Sequence, residues 1–231
     1  MPRIEDFLEP YPPRKDLNLL FLISMPSNPE KADRLNHLLV SLVADIKNIA
    51  VDNCDYNARI NVMNISSSVT WSDNNMPIDL DRFEWEWLPP GNVPNYSIAI
   101  RNLCEKLSRH RFQASVRGPL RPLIIFIADK PIQIVESELA DLWNNKWYHH
   151  AIKFGFYTST DSKKTLIDVI KCDDAVLEVE HIDVILQLLK PVRFSPEIIE
   201  QYLPSDIVTD FTNNSSLLPN LPPSDWDDSD W

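Results

Sequence analysis

Glycine is nearly absent, with 3 residues in 231 against 19 prolines. Few positions can therefore take positive φ without strain, and a phosphate or dinucleotide loop that depends on glycine has little to be built from. Neither a G-x-S-x-G elbow nor a Walker loop occurs. Cysteine is confined to Cys54, Cys104 and Cys172, far apart in the chain, and no secretory leader precedes the first apolar strand pattern. A reducing cytoplasm is the expected home. No apolar run approaches the roughly 20 residues a bilayer-spanning helix needs. Basic residues are also in deficit, 22 Lys and Arg against 34 Asp and Glu, for a net charge of -12. Residues 196–231 hold eight acids and no Lys or Arg, two thirds of that excess. A mildly acidic body with an acidic tail argues against nucleic acid or an anionic membrane as partner, since both need clustered cations.

What is present is a globular composition, 44% hydrophobic, in a length that suits one α/β domain with extensions. The stretch Leu17 to Asn28 organises it. Six of its first seven residues are apolar, the run expected of a parallel strand covered on both faces, and Ser24, Met25, Pro26, Ser27 and Asn28 then form a loop before a helical pattern. In open α/β sheets the loop at the carboxyl end of such a strand is where ligands sit.

Ser27 and Glu30 have capping-box spacing around Pro29, and Leu35, Leu38, Leu39, Leu42, Val43, Ile46 and Ile49 give the helix a wide apolar stripe. Residues 59 to 67 are predicted as a second strand. Phe83, Trp85 and Trp87 alternate with Glu84 and Glu86 and predict a third, at an edge or antiparallel position with one wet face. Asn95 is placed to cap a helix with a stripe of Ile100, Leu103, Cys104 and Leu107. Arg109, His110, Arg111, Arg117 and Arg121 around Gly118 form a basic loop, more often a solvated connection than a phosphate site. The run Pro122 to Asp129 is a second fully buried strand, ending in an Asp that serves as a loop or cap residue more often than as a metal ligand. A helix over Val135 to Trp147, a strand over Ala151 to Tyr157, a helix over Thr165 to Ile170, a strand over Ala175 to Val179 and a closing helix stopped by Pro191 complete the alternation.

That order predicts a doubly wound α/β fold, with a mostly parallel sheet, helices on both faces and one antiparallel edge strand. The expected domains are an extended lead-in over residues 1–15, the α/β body over 16–195 and the acidic tail over 196–231. No catalytic constellation stands out. His149 and His150 are adjacent and cannot share a strand face, and Glu84 with Glu86 fits a solvated face better than an acid/base pair. No catalytic residue, metal ligand or cofactor is assigned, and an enzyme is not expected.

Several strings in this order resemble a von Willebrand factor type A domain of the bacterial kind similar to the tellurium-resistance TerY proteins. They are L-L-F-L-I-S-M-P-S-N, P-P-G-N-V-P-N-Y-S-I-A-I-R-N-L-C-E-K-L, R-P-L-I-I-F-I-A-D, and H-A-I-K-F-G-F with D-D-A-V-L-E-V, and the resemblance covers roughly residues 16 to 192. It implies a metal-ion-dependent adhesion site made from a D-x-S-x-S loop, a Thr and an Asp. The first Asp falls on Ser24 and the serines on Pro26 and Asn28. In a register slipped by one they fall on Ile23, Met25 and Ser27. The Thr matches Pro94 or a close neighbour, and the last Asp survives as Asp129. The resemblance thus implies a degenerate site, because a lone carboxylate offsets too little of a divalent ion's dehydration.

The expected function is a non-enzymatic protein-interaction module, with a phosphatase, a kinase or both in a bacterial stress-response or defence system as the partners the resemblance implies. The rivals are a metal-dependent binding domain that uses Asp129 and an enzyme with an unrecognised site. A second binding element is expected in the tail from Ser215 to Trp231. There Asp225, Asp227, Asp228 and Asp230 resist burial while Trp226 and Trp231 favour it, as in segments that order on binding. The alternative is a solubilising end whose tryptophans fold back onto the protein's own surface.

Overall fold

A computed structural model describes residues 14–52, 56–73, 76–108, 110–115 and 119–189. The boundary expected at 195/196 and the tail residues Asp225, Trp226, Asp227, Asp228, Asp230 and Trp231 lie outside the described residues. Thirteen elements follow in chain order: β1 (Lys15–Ser24), α1 (Pro29–Asp52), β2 (Tyr56–Ile65), β3 (Val69–Trp71), β4 (Ile78–Asp79), α2 (Tyr96–Lys106), β5 (Leu123–Ala128), α3 (Glu136–Asn144), α4 (Lys146–His150), β6 (Ile152–Tyr157), α5 (Thr160–Ile170), β7 (Val176–Glu178) and α6 (Val184–Leu189).

The sheet runs β3-β2-β1-β5-β6-β7, with β4 also paired to β2. Strands β2, β1, β5, β6 and β7 are parallel, and β3 and β4 run antiparallel on the β2 edge. The continuous apolar runs become the centre as their composition dictates: Leu17–Ser24 and all of β5 and β6 are buried. Each fully buried Leu, Ile or Phe there stabilises by about 1.5–3 kcal/mol. Helix α1 buries Leu35, Leu39, Leu42, Val43 and Ile46 of its stripe and packs against α6, while α2 packs against α3. Crossing from β1 to β2 on one side and later to β5 on the other puts the reversal of winding between β1 and β5. This is where open α/β sheets leave a crevice.

Four expectations are corrected. Residues 83–90 form no strand, and the antiparallel edge is made instead by β3 and β4. An extended segment alternates its side chains whether or not it joins a ladder, and this one lies along α1 through hydrogen bonds to its side chains. Trp87 is consequently 51% exposed, whereas Phe83 is buried. The cap of α1 is Asn28, whose Oδ1 accepts from the Lys31 amide at 3.0 Å, not Ser27. The helix expected over Val135 to Trp147 is two helices. Asn145 breaks it by capping α4 through the Tyr148 amide (3.1 Å) while its Nδ2 donates to the Leu107 carbonyl (3.1 Å) at the end of α2. Helix α5 begins at Thr160, a turn earlier than its apolar residues indicate, because that first turn is polar and buries only Ser162.

Candidate functional site

Three loops meet at the carboxyl ends of β1 and β5. The first follows Ser24, which is paired in register with Ala128, and its Met25 and Pro26 are buried while Ser27 and Asn28 are exposed. The second is seated on the first by Gly91, whose amide donates to the Pro26 carbonyl at 2.9 Å. A Cβ on Gly91 would lie 2.1 Å from the Met25 carbonyl oxygen, so this approach requires glycine. The same loop passes the half-buried Pro94 to Asn95, whose amide donates to Ser66 O at 2.8 Å and whose Oδ1 accepts from the Ile98 amide to cap α2. The third loop begins at Asp129.

Tyr96, the first residue of α2, fills the space between them. It is 3% exposed, its hydroxyl donates to the Lys130 carbonyl at 3.3 Å, and the Ser24 hydroxyl is hydrogen-bonded to it. Burial pushes its phenol up to about 12, against the Ser24 bond, which lowers it, and with the Asp129 charge, which raises it further. The phenol is therefore a neutral donor at physiological pH. Asp129 is itself engaged, since the Thr158 hydroxyl donates to its Oδ1 at 2.7 Å from the end of β6. Ser162 Oγ and the Thr158 amide both bond the Ala128 carbonyl, at 2.9 and 3.1 Å, and fix the turn that carries Asp129.

The structure thus brings Ser24, Pro26 and Asp129 together with Gly91. Asn28 spends its oxygen on the cap, and Ser27 is exposed. Sequence reasoning missed Tyr96 and Thr158. Tyr96 had a signal, because Tyr96, Ile100 and Leu103 continue one helical stripe back by a turn, and its first member touches the loops rather than the sheet. Thr158 had only its place after an apolar strand.

Beside this ring the chain presents an exposed apolar ridge. Trp87, Pro89, Pro90 and Val93 are exposed, the last by 76%, on the segment that Asn36 and Gly91 hold from within. Trp87 meets His37 of α1 edge to face at 5.0 Å.

Elsewhere the perturbed groups are quiet. Cys104 is pushed up to about 11 by burial and by the nearby charges of Asp141 and Glu105, which keeps it a thiol. Lys153 is 2% exposed, and its ammonium donates to the Tyr148, His149 and Ala151 carbonyls at 2.9, 3.2 and 2.8 Å, closing the end of α4. It also lies 4.9 Å from the Trp143 ring centroid and 5.1 Å from that of Tyr148. Of the expected histidine pair, His149 is exposed and His150 half-buried. Among the described residues no group of three or more His, Cys, Asp or Glu side chains converges.

No protein-family model and no curated protein matches the chain. Solved structures do match. Crystal form 2 of proximal thread matrix protein 1 from the mussel byssus is 13% identical, with a TM-score of 0.55, over 76% of this chain and 47% of that one. The same mussel protein with a zinc-occupied metal-ion-dependent adhesion motif is 12% identical, also with a TM-score of 0.55 and the same coverage. The chain therefore spans about half the length of these neighbours. At such identity the likeness concerns architecture alone, and that architecture is the α/β fold of von Willebrand factor type A and Rossmann-like domains.

Proposed function

We propose that this chain is a non-enzymatic protein-interaction module that docks a partner through the loops at the carboxyl ends of β1 and β5, and that it does so without a divalent ion. The observation carrying this reading is the buried Tyr96 hydroxyl set between Ser24 and the loop of Asp129. A divalent hard cation wants about six oxygens and at least one or two carboxylates. The residues present do not fit it, offering one carboxylate already bonded to Thr158, a serine bonded to a tyrosine, and prolines at two other positions. The mussel protein's zinc-occupied motif is thus a property of that protein which this donor set does not support here. Among the described residues the thiol of Cys104 and the phenols of Tyr96 and Tyr148 are held protonated by burial, and Lys153, whose shift runs toward the neutral amine, is buried with its Nζ bonded to three backbone carbonyls, which favours the non-enzymatic reading.

In place of a coordinating ion, the exposed ridge from Trp87 to Val93 offers an apolar anchor on a backbone held by Asn36 and Gly91. A bacterial stress-response adaptor of the TerY kind, working beside a phosphatase or kinase in the cytoplasm, is the setting that the resemblance offers for it. Calorimetric titration of the chain with magnesium, calcium and manganese should give no binding heat at millimolar ion. A partner recovered from the native host should stay bound in EDTA and be lost to a Trp87→Ala, Val93→Asp variant. Metal-dependent capture, or capture indifferent to both substitutions, overturns the proposal.

A further inference from the structure

Between the outer strand β3 and the segment 83–88 runs a groove of about 60 Å³ whose walls include Trp71, Phe83, Trp85 and Leu88. Its rim is open, since Thr70, Ser72 and Glu86 are exposed. The rings are held by the fold itself. Trp71 packs edge to face on Phe112 at 4.7 Å, and Phe83 on Trp85 at 6.2 Å. Trp85 spends its indole nitrogen on Asn36 at 3.3 Å, and that of Trp71 is buried, so both offer the groove ring carbon alone.

The charge at the groove has one sign. Glu86 is the only acidic or basic side chain that lines it, and among the described residues no Lys, Arg or His nitrogen lies within 4.0 Å of its carboxylate. Residues 60–73 and 83–90, which supply the walls, contain Asp73, Glu84 and Glu86 and no Lys, Arg or His. Of the bases beside them, Lys47 gives its ammonium to the Phe83 carbonyl, and Arg82 is exposed just ahead of the segment. Neither lines the groove.

We propose that this groove takes the guanidinium of an arginine side chain from another protein. Aromatic rings and a carboxylate on one wall attract an organic cation together. The volume equals roughly two water molecules at about 30 Å³ each, room for the head of a side chain and not for a larger ligand. Between the two cationic side chains, arginine fits better. Its guanidinium is flat and weakly hydrated, and it stacks on aromatic rings while donating two parallel bonds to one carboxylate. A lysine ammonium would give up a strongly held hydration shell where Glu86 is the one charged acceptor. The Ser72 hydroxyl is already engaged by the Val62 amide and Asn61. The groove shares no residue with the loops at the carboxyl ends of β1 and β5, so the assignment stands whether or not those loops bind a partner.

The test is an NMR titration of the full chain with three blocked tripeptides, Ala-Arg-Ala, Ala-Lys-Ala and Ala-citrulline-Ala. The arginine peptide should shift the indole signals of Trp71 and Trp85 and the amides of residues 70–72 and 84–88, and the shifts should saturate. The citrulline peptide, which keeps the shape and lacks the charge, should bind at least about fivefold more weakly, and the lysine peptide more weakly than arginine. Glu86→Gln, at an exposed position the fold does not use, should weaken the arginine peptide by a similar factor. Shifts that do not saturate or that lie elsewhere, citrulline or lysine bound as tightly as arginine, or affinity unchanged in Glu86→Gln overturns the proposal.

Discussion

Asn36, fully buried in the third turn of α1, grips the backbone of Leu88 from both sides: its Nδ2 donates to the Leu88 carbonyl at 2.8 Å and its Oδ1 accepts the Leu88 amide at 3.0 Å. The same oxygen accepts from the Trp85 indole at 3.3 Å. One helical side chain therefore replaces the ladder partner that residues 83–90 lack and sets the height at which Trp87, Pro89 and Pro90 emerge.

Replacing Asn36 with Ala leaves a part-buried amide, carbonyl and indole without this partner, and a polar group left unsatisfied away from water costs about 1–3 kcal/mol. Loosening of the segment limits the sum, so a loss of about 2–4 kcal/mol is expected in chemical denaturation. Trp87→Ala, at a half-exposed side chain, should cost under about 1 kcal/mol. Equal losses for the two variants would contradict the clamp.

These contacts show where the sequence was legible and where it was not. Strands β1 and β5 are readable because a strand buried on both faces must be apolar at every position, and Leu19–Ile23 and Leu123–Ala128 are. The segment Phe83–Trp87 misleads because alternation reports an extended chain, and what holds it, Asn36, lies 52 residues from Leu88 and carries no local mark. The candidate site behaves likewise. The loops follow from strand order, but the pairing of Asp129 with Thr158 spans 29 residues and that of Tyr96 with Lys130 spans 34, so composition alone could not show that the site is closed.

Gly91→Ala tests the seating of the second loop on the first. The new methyl would meet the Met25 carbonyl at 2.1 Å, backbone against side chain with nothing flexible to yield. A loss of about 1–3 kcal/mol is expected, as for other overpacked positions, with the largest amide shifts in an NMR spectrum at residues 24–28 and 91–96. Shifts confined to the substituted residue would show that the loops do not touch.

Lys171, the cap of α5, takes φ of 62° and is the only non-glycine residue with positive φ among those described. A left-handed cap favours glycine. Lys171→Gly should therefore raise stability by about 0.5–1 kcal/mol, read as a higher melting temperature with an unchanged denaturant slope. A decrease would mean that the Lys171 side chain contributes more than the relief of strain.

Lys153 provides the pH signature. Burial, assisted by the charge of Arg121 and opposed by that of Cys172, lowers its ammonium from 10.5 to about 8. The unfolded chain therefore binds the extra proton between pH 8 and 10.5, and the fold is penalised most below pH 8. Stability should rise with pH through that window by about 3 kcal/mol from this residue, at 1.36 kcal/mol per pKa unit. Cys104, raised from 9.0 to about 11, acts oppositely, since its stability is full below pH 9 and is lost as pH climbs toward 11. The wild-type curve alone is then a blend, and the comparison with Lys153→Met isolates the lysine, because Cys104 is common to both proteins. The variant should lose the rise between pH 8 and 10. It should also be less stable than wild type at pH 10, where the neutral amine can still donate to the carbonyls at the end of α4. Parallel curves for the two proteins across that window would show that Lys153 stays charged in the fold, held by its three carbonyls and the faces of Trp143 and Tyr148.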